Sequence, residues 1–288
     1  MMTTQQHVLA CIDGSAVTES VCDYAAWYAR RLNISVGLLH VSDVAASIRR
    51  DLSGAIGINS RQFLLDELSQ LDEQRAKVVN SYSNALVQDA KSHIKNQFDD
   101  VDVHVYQRRG KLLPAIEHFT AHNRAIVMGR RGEDHKHSRI NIGSQIETVA
   151  RASSIPVLIC SEKFKEPQSY MVAFDASKTA IKAIAMLSES KLLKGMQGHI
   201  VMVGNDNETA KQSLADARAQ MAAAGFSVET HQLQKLDAVN GLLAFQMEHA
   251  IDIIVVGAYG SSKLQHLFLG STTTEIIAST LSPVIFVR

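Results

Sequence analysis

The chain is written twice. HVLACIDGSAVTESV, starting at His7, and YMVAFDASKTAIKAI, starting at Tyr170, share an apolar run, an Asp, a small residue, a Ser and then an apolar periodic stretch. Asp13 thereby aligns with Asp175. Further on, AIVMGRRG from Ala125 matches IIVVGAYG from Ile253, and GSQIETVARASSIPVLIC from Gly143 matches GSTTTEIIASTLSPVIFV from Gly270. Segment order is kept, with the first half longer by 34 residues in its middle and by one in a later loop. Two copies of one ordered set of elements fold as two similar units. The break between them falls in the polar stretch SEKFKEPQS, so a first domain is expected over 1–160, a linker over 161–169 and a second domain over 170–288.

Within each half, short apolar runs alternate with stretches of helical spacing. In the first half strands are expected at His7–Ile12, Ile34–Val41, Val101–Tyr106, Ala125–Met128 and Pro156–Cys160. Helices are expected at Ala16–Leu32, with Ser15 as its N-cap, at Arg61–Asn96 with an interruption allowed, at Leu112–His122 and at Gln145–Ala152. The second half repeats the order: strands at Met171–Phe174, Ile200–Val203, Val228–Leu233, Ile253–Val256 and Val284–Val287, and helices at Lys178–Leu192, Glu208–Ala224, Val239–Ala250 and Ser271–Ser279. Near-continuous apolar strands separated by helices indicate parallel sheets covered on both faces. The fold class is therefore α/β, two tandem doubly wound domains, each a five-stranded parallel sheet with helices on both faces.

Charge narrows the partners. The 29 Lys+Arg balance the 29 Asp+Glu, which argues against nucleic-acid coating or polybasic membrane binding, both of which work by neutralising phosphate. No run reaches the roughly 18 apolar residues of a membrane span, and MMTTQQHVLACIDG has no signal-peptide pattern. The three cysteines, Cys11, Cys22 and Cys160, form no CxxC pair. They fit a reducing compartment and buried apolar sites. A cytoplasmic location is expected.

In open α/β sheets ligands bind beyond the C-terminal ends of the strands. Asp13 and Asp175 end the first strands, Val41 and Val203 the second, Gly129 and Gly257 the fourth. The loops after the fourth strands carry Gly132 and Gly260 and run to Gly143-Ser144 and Gly270-Ser271, each opening a helix. Glycines permit close backbone approach, and a helix N-terminus presents unpaired N–H groups to an anion. Ser271, Thr272 and Thr273 add hydroxyl donors. This reads as a polyphosphate cradle, against the plainer reading of turns and a capped helix. Neither a G-x-x-x-x-G-K-[ST] motif nor a G-x-G-x-x-G after the first strand is present.

The spacing Gly257-x2-Gly260-x9-Gly270-Ser271, with Asp175 after the first strand and Ser282-Pro283-Val284 before the last, resembles the universal stress protein family, and the resemblance covers nearly the whole chain as a tandem pair. In ATP-binding members of that family the motif wraps phosphates and ribose. Carried over, the resemblance implies contacts to ATP or AMP, with or without Mg, from Asp175, Val203, Gly257, Gly260, Gly270, Ser271 and Thr272. In the first half the implied set is Asp13, Val41, Gly129, Gly132, Gly143, Ser144 and, less directly, Gln145. It also implies pairing of Val157–Cys160 with Val284–Val287 inside one molecule, a pseudo-dimer, with room left for a homodimer. The function so implied is that of an adenine-nucleotide-binding stress-response regulator, at most a slow ATPase.

The halves differ. The first has ten residues between Gly132 and Gly143, one more than the family spacing, but carries Arg130, Arg131, Lys136 and Arg139 against Lys263 alone in the second. Motif integrity favours the second half and charge the first. His40 and His266 lie near the expected pockets, and His266 could touch phosphate when protonated. Asp134, His135, Lys136 and His137 read as a solvated loop, since a tight metal site needs three or four converging ligands; no metal set is assigned. No catalytic residue is assigned either, Asp13 and Asp175 being the only candidates to position a water or a metal. The extra residues of the first half, with Ser53-Gly54 and Gly57, suggest a flap ahead of a long helix. Two rivals stand beside the nucleotide reading: a protein-interaction scaffold on the same duplicated fold, and an adenylating enzyme, whose SGGxDS motif is missing from CIDGSAV and AFDASKT.

Overall fold

The computed structural model describes residues 6–42, 58–119, 122–130, 144–204, 207–234, 237–257 and 271–288. Ten strands form there: β1 His7–Ile12, β2 Ser35–Ser42, β3 Val103–Arg109, β4 Asn123–Gly129, β5 Val157–Cys160, β6 Ser169–Ala173, β7 Gln197–Val203, β8 Val228–Leu233, β9 Ile253–Gly257 and β10 Val284–Val287. Eight helices alternate with them: α1 Thr18–Leu32, α2 Ile58–Gln97, α3 Leu112–Phe119, α4 Ser144–Ala152, α5 Lys178–Glu189, α6 Glu208–Ala223, α7 Ala238–Glu248 and α8 Ser271–Ser279. Each half is doubly wound, with strand order β3-β2-β1-β4-β5 in the first and β8-β7-β6-β9-β10 in the second. All strand pairs within a half are parallel.

The two halves are joined into one ten-stranded sheet. β10 runs antiparallel to β5, with Val284 opposite Ile159, Ile285 opposite Leu158 and Phe286 opposite Val157. Every residue of VLIC and VIFV is buried. Paired edges leave no such apolar ladder open to other chains. Core forms on both faces and crosses this seam: α1, α2, α5 and α6 cover one cluster, which includes Trp27, Leu158, Tyr170 and Ile285. α3, α4, α7 and α8 cover the other, which includes Ile126, Ile159, Ile254 and Phe286. Burial disfavours the thiolate form of the cysteines, pushing the Cys11 and Cys22 thiols up to about 12 and raising Cys160 as well.

Two expectations need correction. Ser15 does not cap α1: the helix starts at Thr18 after Val17, which makes no side-chain cap. The Ser15 N–H is already bonded to Asp13 Oδ1, and Thr18 N donates to Ser15 O in a preceding turn. The interruption allowed in the long helix is also not found, and α2 spans 40 residues against 16 for α6. The additional length of the first half thus goes largely into helix; the flap suggested for Ser53, Gly54 and Gly57 lies outside the described residues. Among the described side chains of α2, burial starts at Ser83 and continues through Val87, Ala90 and Ile94. Leu71, Val78 and Tyr82, N-terminal to that point, are exposed.

The segment between β5 and β6 is polar yet anchored. Ser20 Oγ donates to Ser161 O at 2.8 Å, and Phe164 packs edge-on against Tyr24 with centroids 4.8 Å apart. Asp252, just before β9, accepts from Gln168 N at 2.9 Å and Ser169 N at 3.2 Å and pairs with Lys165 at 2.5 Å. Desolvation would raise its carboxyl, but the Lys165 and backbone donors outweigh it and hold the pKa below the ordinary 3.8.

Leu158→Ala, at the centre of the seam, should cost about 2–5 kcal/mol, read as a lower denaturant midpoint at unchanged slope. Asp252→Ala should cost about 1–3 kcal/mol and speed proteolysis near Lys163 and Lys165. Because the folded Asp252 pKa is depressed, its stabilisation is complete at neutral pH and lost as pH falls through the acid range below 3.8. The gap between wild type and Asp252→Ala should close there; a gap that persists in acid would show that the charge is not its source.

Candidate functional site

Each strand order reverses once, between β1 and β4 in the first half and between β6 and β9 in the second. At such a point the loops leave toward opposite faces and open a crevice at the C-terminal edge. The structure places Asp13 and Gly129 at the first reversal point and Asp175 and Gly257 at the second, where such a crevice is expected. Because β5 and β10 are antiparallel, the two crevices open on opposite edges of the sheet.

The Asp turns are built alike. Asp13 Oδ1 accepts from Ser15 N, and Asp175 Oδ1 accepts from Ser177 N, both at 3.0 Å. The residue after each Asp has positive φ, Gly14 at +82° and Ala176 at +58°. Beyond that they diverge. Ser177 caps α5, its Oγ accepting from Ala180 N at 3.2 Å. Ser15 Oγ is buried with no hydrogen-bond partner among the described residues. A Cβ on Gly14 would lie 2.2 Å from the Tyr82 hydroxyl, so α2 reaches over the first turn.

The remaining sequence candidates sort by element. Val41 and Val203, at the ends of β2 and β7, are half-buried and pack against the core of the α3/α4/α7/α8 face. Gly257 serves close packing, since a Cβ there would come within 3.0–3.1 Å of Thr179 and Ala180 backbone in the first turn of α5. Thr273, in the first turn of α8, makes a long 3.5 Å contact from Oγ1 to Gly257 O, tying the helix start to the strand end. α4 and α8 begin at Ser144 and Ser271, with Gln145 and Thr272 next in line. Gly132, Gly143, Gly260 and Gly270 lie outside the described residues, as do Arg131, Asp134, His135, Lys136, His137, Arg139, Lys263 and His266.

Two residues expected near the first pocket, His40 by position and Arg130 by charge, have partners within the protein. His40 is buried and its Nδ1 lies 3.0 Å from Ile12 O, which fastens β2 to the end of β1. Arg130 Nη2 donates to Ser282 O at 2.7 Å. The first crevice therefore has a second-half residue on its rim, and this guanidinium bridges the halves. That contact was invisible to sequence reading because it depends on the antiparallel seam, which brings the entry of β10 beside the exit of β4.

A sheet of this order, duplicated, with one switch-point crevice per copy and an Asp turn at each, defines a tandem doubly wound α/β protein. The model of the universal stress protein family matches residues 5–161 and again 169–288. The chain belongs to the universal stress protein family. It is 31% identical to the universal stress protein Slr1230 of Synechocystis sp. strain PCC 6803, over 98% of this chain and 100% of that one. Among solved structures it is similar to a universal stress protein from Archaeoglobus fulgidus DSM 4304, with TM-score 0.65, 21% identity and coverage of 100% and 99% of the two chains. A Pseudomonas aeruginosa UCBPP-PA14 protein of the same proposed family matches with TM-score 0.61 and 16% identity over 98% and 93%. No described helix is long and apolar enough to cross a membrane.

Gly14→Ala should destabilise the chain by about 1–2 kcal/mol, the cost of a left-handed conformation for an L residue. Adding Tyr82→Ala removes the hydroxyl that the new methyl meets but leaves the φ cost. Chemical denaturation of the single and double variants should therefore recover less than half of the loss. Full recovery would make contact, and not backbone conformation, the reason for glycine.

Proposed function

We propose that the chain binds an adenine nucleotide, ATP or AMP, in at least one of its two switch-point crevices and acts as a regulatory binding protein. The observation that carries this reading is the paired placement of Asp13 and Asp175 at the reversal points, each facing a strand end that leads toward a helix start at Ser144 or Ser271. The chemistry is directional. A carboxylate repels phosphate, so the Asp side of each crevice suits the hydroxyl and amine donors of a nucleoside. The N-termini of α4 and α8 suit the phosphates, through unpaired N–H groups and the positive dipole end.

The residues present fit such a ligand. The buried Ser15 hydroxyl, without a partner among the described residues, is a polar group that a ligand in the first crevice could satisfy. In the second half, Ser177 is used as a cap and the exposed Asp175 remains the polar group at the mouth. Mg would accompany a triphosphate; no described residue is assigned to it. Catalysis, if present, is slow hydrolysis, since among the described residues Asp13 and Asp175 are the candidates to orient water and a poised general base requires more than a turn carboxylate already bonded to backbone N–H. Association of the halves through β5 and β10 makes each molecule its own pseudo-dimer, which places two potential sites in a single chain.

Calorimetric titration of the intact chain with ATP and with AMP tests the proposal. Binding at millimolar affinity or better is expected, and no binding at that level overturns it. Asp13→Ala and Asp175→Ala should each weaken one site about tenfold or more, the worth of a hydrogen bond involving a charged group. Gly270→Val should abolish binding in the second half with circular dichroism unchanged. If all three bind like the parent, the site is elsewhere.

A further inference from the structure

At the opposite end of the second-half sheet from its crevice, three histidines and a glutamate converge from three elements. Residue alternation along a strand puts positions two apart on one face, which places Glu229 and His231 of β8 together. Register sets His199 of β7 directly opposite Glu229. His199 Nδ1 lies 3.0 Å from His231 Nε2, and His231 Nε2 lies 3.7 Å from Glu229 Oε2. One ligand atom from each of the three lies within 4.8 Å of the others. His249, at the C-cap of α7, lies beside this trio without a donor atom inside its 4.8 Å circle, its ring centroid 5.7 Å from both His199 and His231, which are themselves 5.1 Å apart. Phe245 stacks on His249 at 4.1 Å and packs against the other two rings, forming an apolar floor.

Those spacings match metal chelation. With Zn–N near 2.0–2.1 Å, a ring centroid sits about 3.2 Å from the metal, so tetrahedral imidazoles have centroids about 5.2 Å apart and nitrogens about 3.3 Å apart. The observed triangle is within about half an ångström of the first value, and the 3.0 Å nitrogen pair needs only a few tenths of an ångström of opening. Two imidazoles and one carboxylate are donors that borderline divalent cations such as Zn²⁺ prefer, and a turn of the exposed His249 ring toward them would supply the fourth ligand of a closed, structural site.

We infer that His199, Glu229, His231 and His249 form a binding site for a late first-row divalent cation, Zn²⁺ in the first instance, that clips the outer edge of the second-half sheet to α7. Ligation requires neutral imidazoles, and burial lowers the His199 and His231 pKa values, with the neighbouring imidazoles adding to the effect against the opposing pull of Glu229. The first half does not repeat the set. There His7, His104 and His122 cluster more loosely, with centroids 5.5 and 6.5 Å from His7. Both His7 nitrogens face oxygens, of Ser35 and Tyr106.

The test is calorimetric titration of the chelator-treated full-length chain with ZnCl₂, with thermal unfolding followed in parallel and Co²⁺ replacing Zn²⁺ for its ligand-field spectrum. One Zn²⁺ per chain, a higher melting temperature and a tetrahedral Co²⁺ spectrum are expected. His231→Gln and His249→Ala should each weaken binding at least tenfold, while His104→Ala should bind like the parent. Circular dichroism without metal shows that each variant is folded, and His249→Ala, exposed in the parent, keeps the test open if His231→Gln is not. Absence of one-to-one binding, or equal binding by the folded variants, overturns the inference and leaves a hydrogen-bonded His–His–Glu chain. ATP binding is read separately, so loss of either activity does not imply loss of the other.

Discussion

Everything in this molecule depends on the antiparallel contact between β5 and β10. Each half ends in a four-residue strand with every residue buried, and alone that strand would be an apolar edge with its ladder of N–H and C=O groups open to any other chain. Placing the two edges against each other satisfies both ladders and merges both helix layers into cores that cross the seam. The same contact dictates where the crevices lie. Antiparallel strands point their C-terminal edges in opposite directions, so the two Asp turns cannot face a common ligand. It also brings the segment before β10 to the rim of the first crevice, where Arg130 bonds to Ser282.

The duplication is unequal in ways that matter chemically. In the second copy the Asp turn accepts an Ala at positive φ, and the following Ser caps its helix. In the first copy Gly occupies the positive-φ position, the Ser hydroxyl is buried without a cap to make, and a helix of 40 residues leans Tyr82 over the turn. The positive charge that the sequence credits to the first crevice is partly committed, because Arg130 binds a carbonyl of the other half. Two sites built on one plan thus present different walls to a ligand.

Much of the architecture was legible in the residues. Strands covered on both faces must be apolar throughout, so VLIC and VIFV announce themselves, and Ser177, Asn207 and Asp237 cap their helices through side chains that favour that role. Ser15 misled because Asp13 claims its N–H and a turn intervenes before α1. The Asp turns were legible too, since the repeat aligns them. The function of Gly257 was less so: it admits the backbone of α5, a contact between segments about eighty residues apart. The histidine group escaped for the same reason. Glu229-x-His231 is a visible strand-face pair, but His199 and His249 join it only through sheet register and the packing of α7.

With both inner borders consumed, the sheet terminates in β3 on one side and β8 on the other. These outer strands are unlike the inner ones: β3 finishes in Gln107, Arg108 and Arg109, all exposed, and β8 alternates Glu229, His231 and Leu233 across partly wet positions. Polymerisation by strand addition would have to bury the charged Arg108, Arg109 and Glu229 at the new junctions. Strand addition at either outer edge is thereby disfavoured, while the inner edges are already paired with each other.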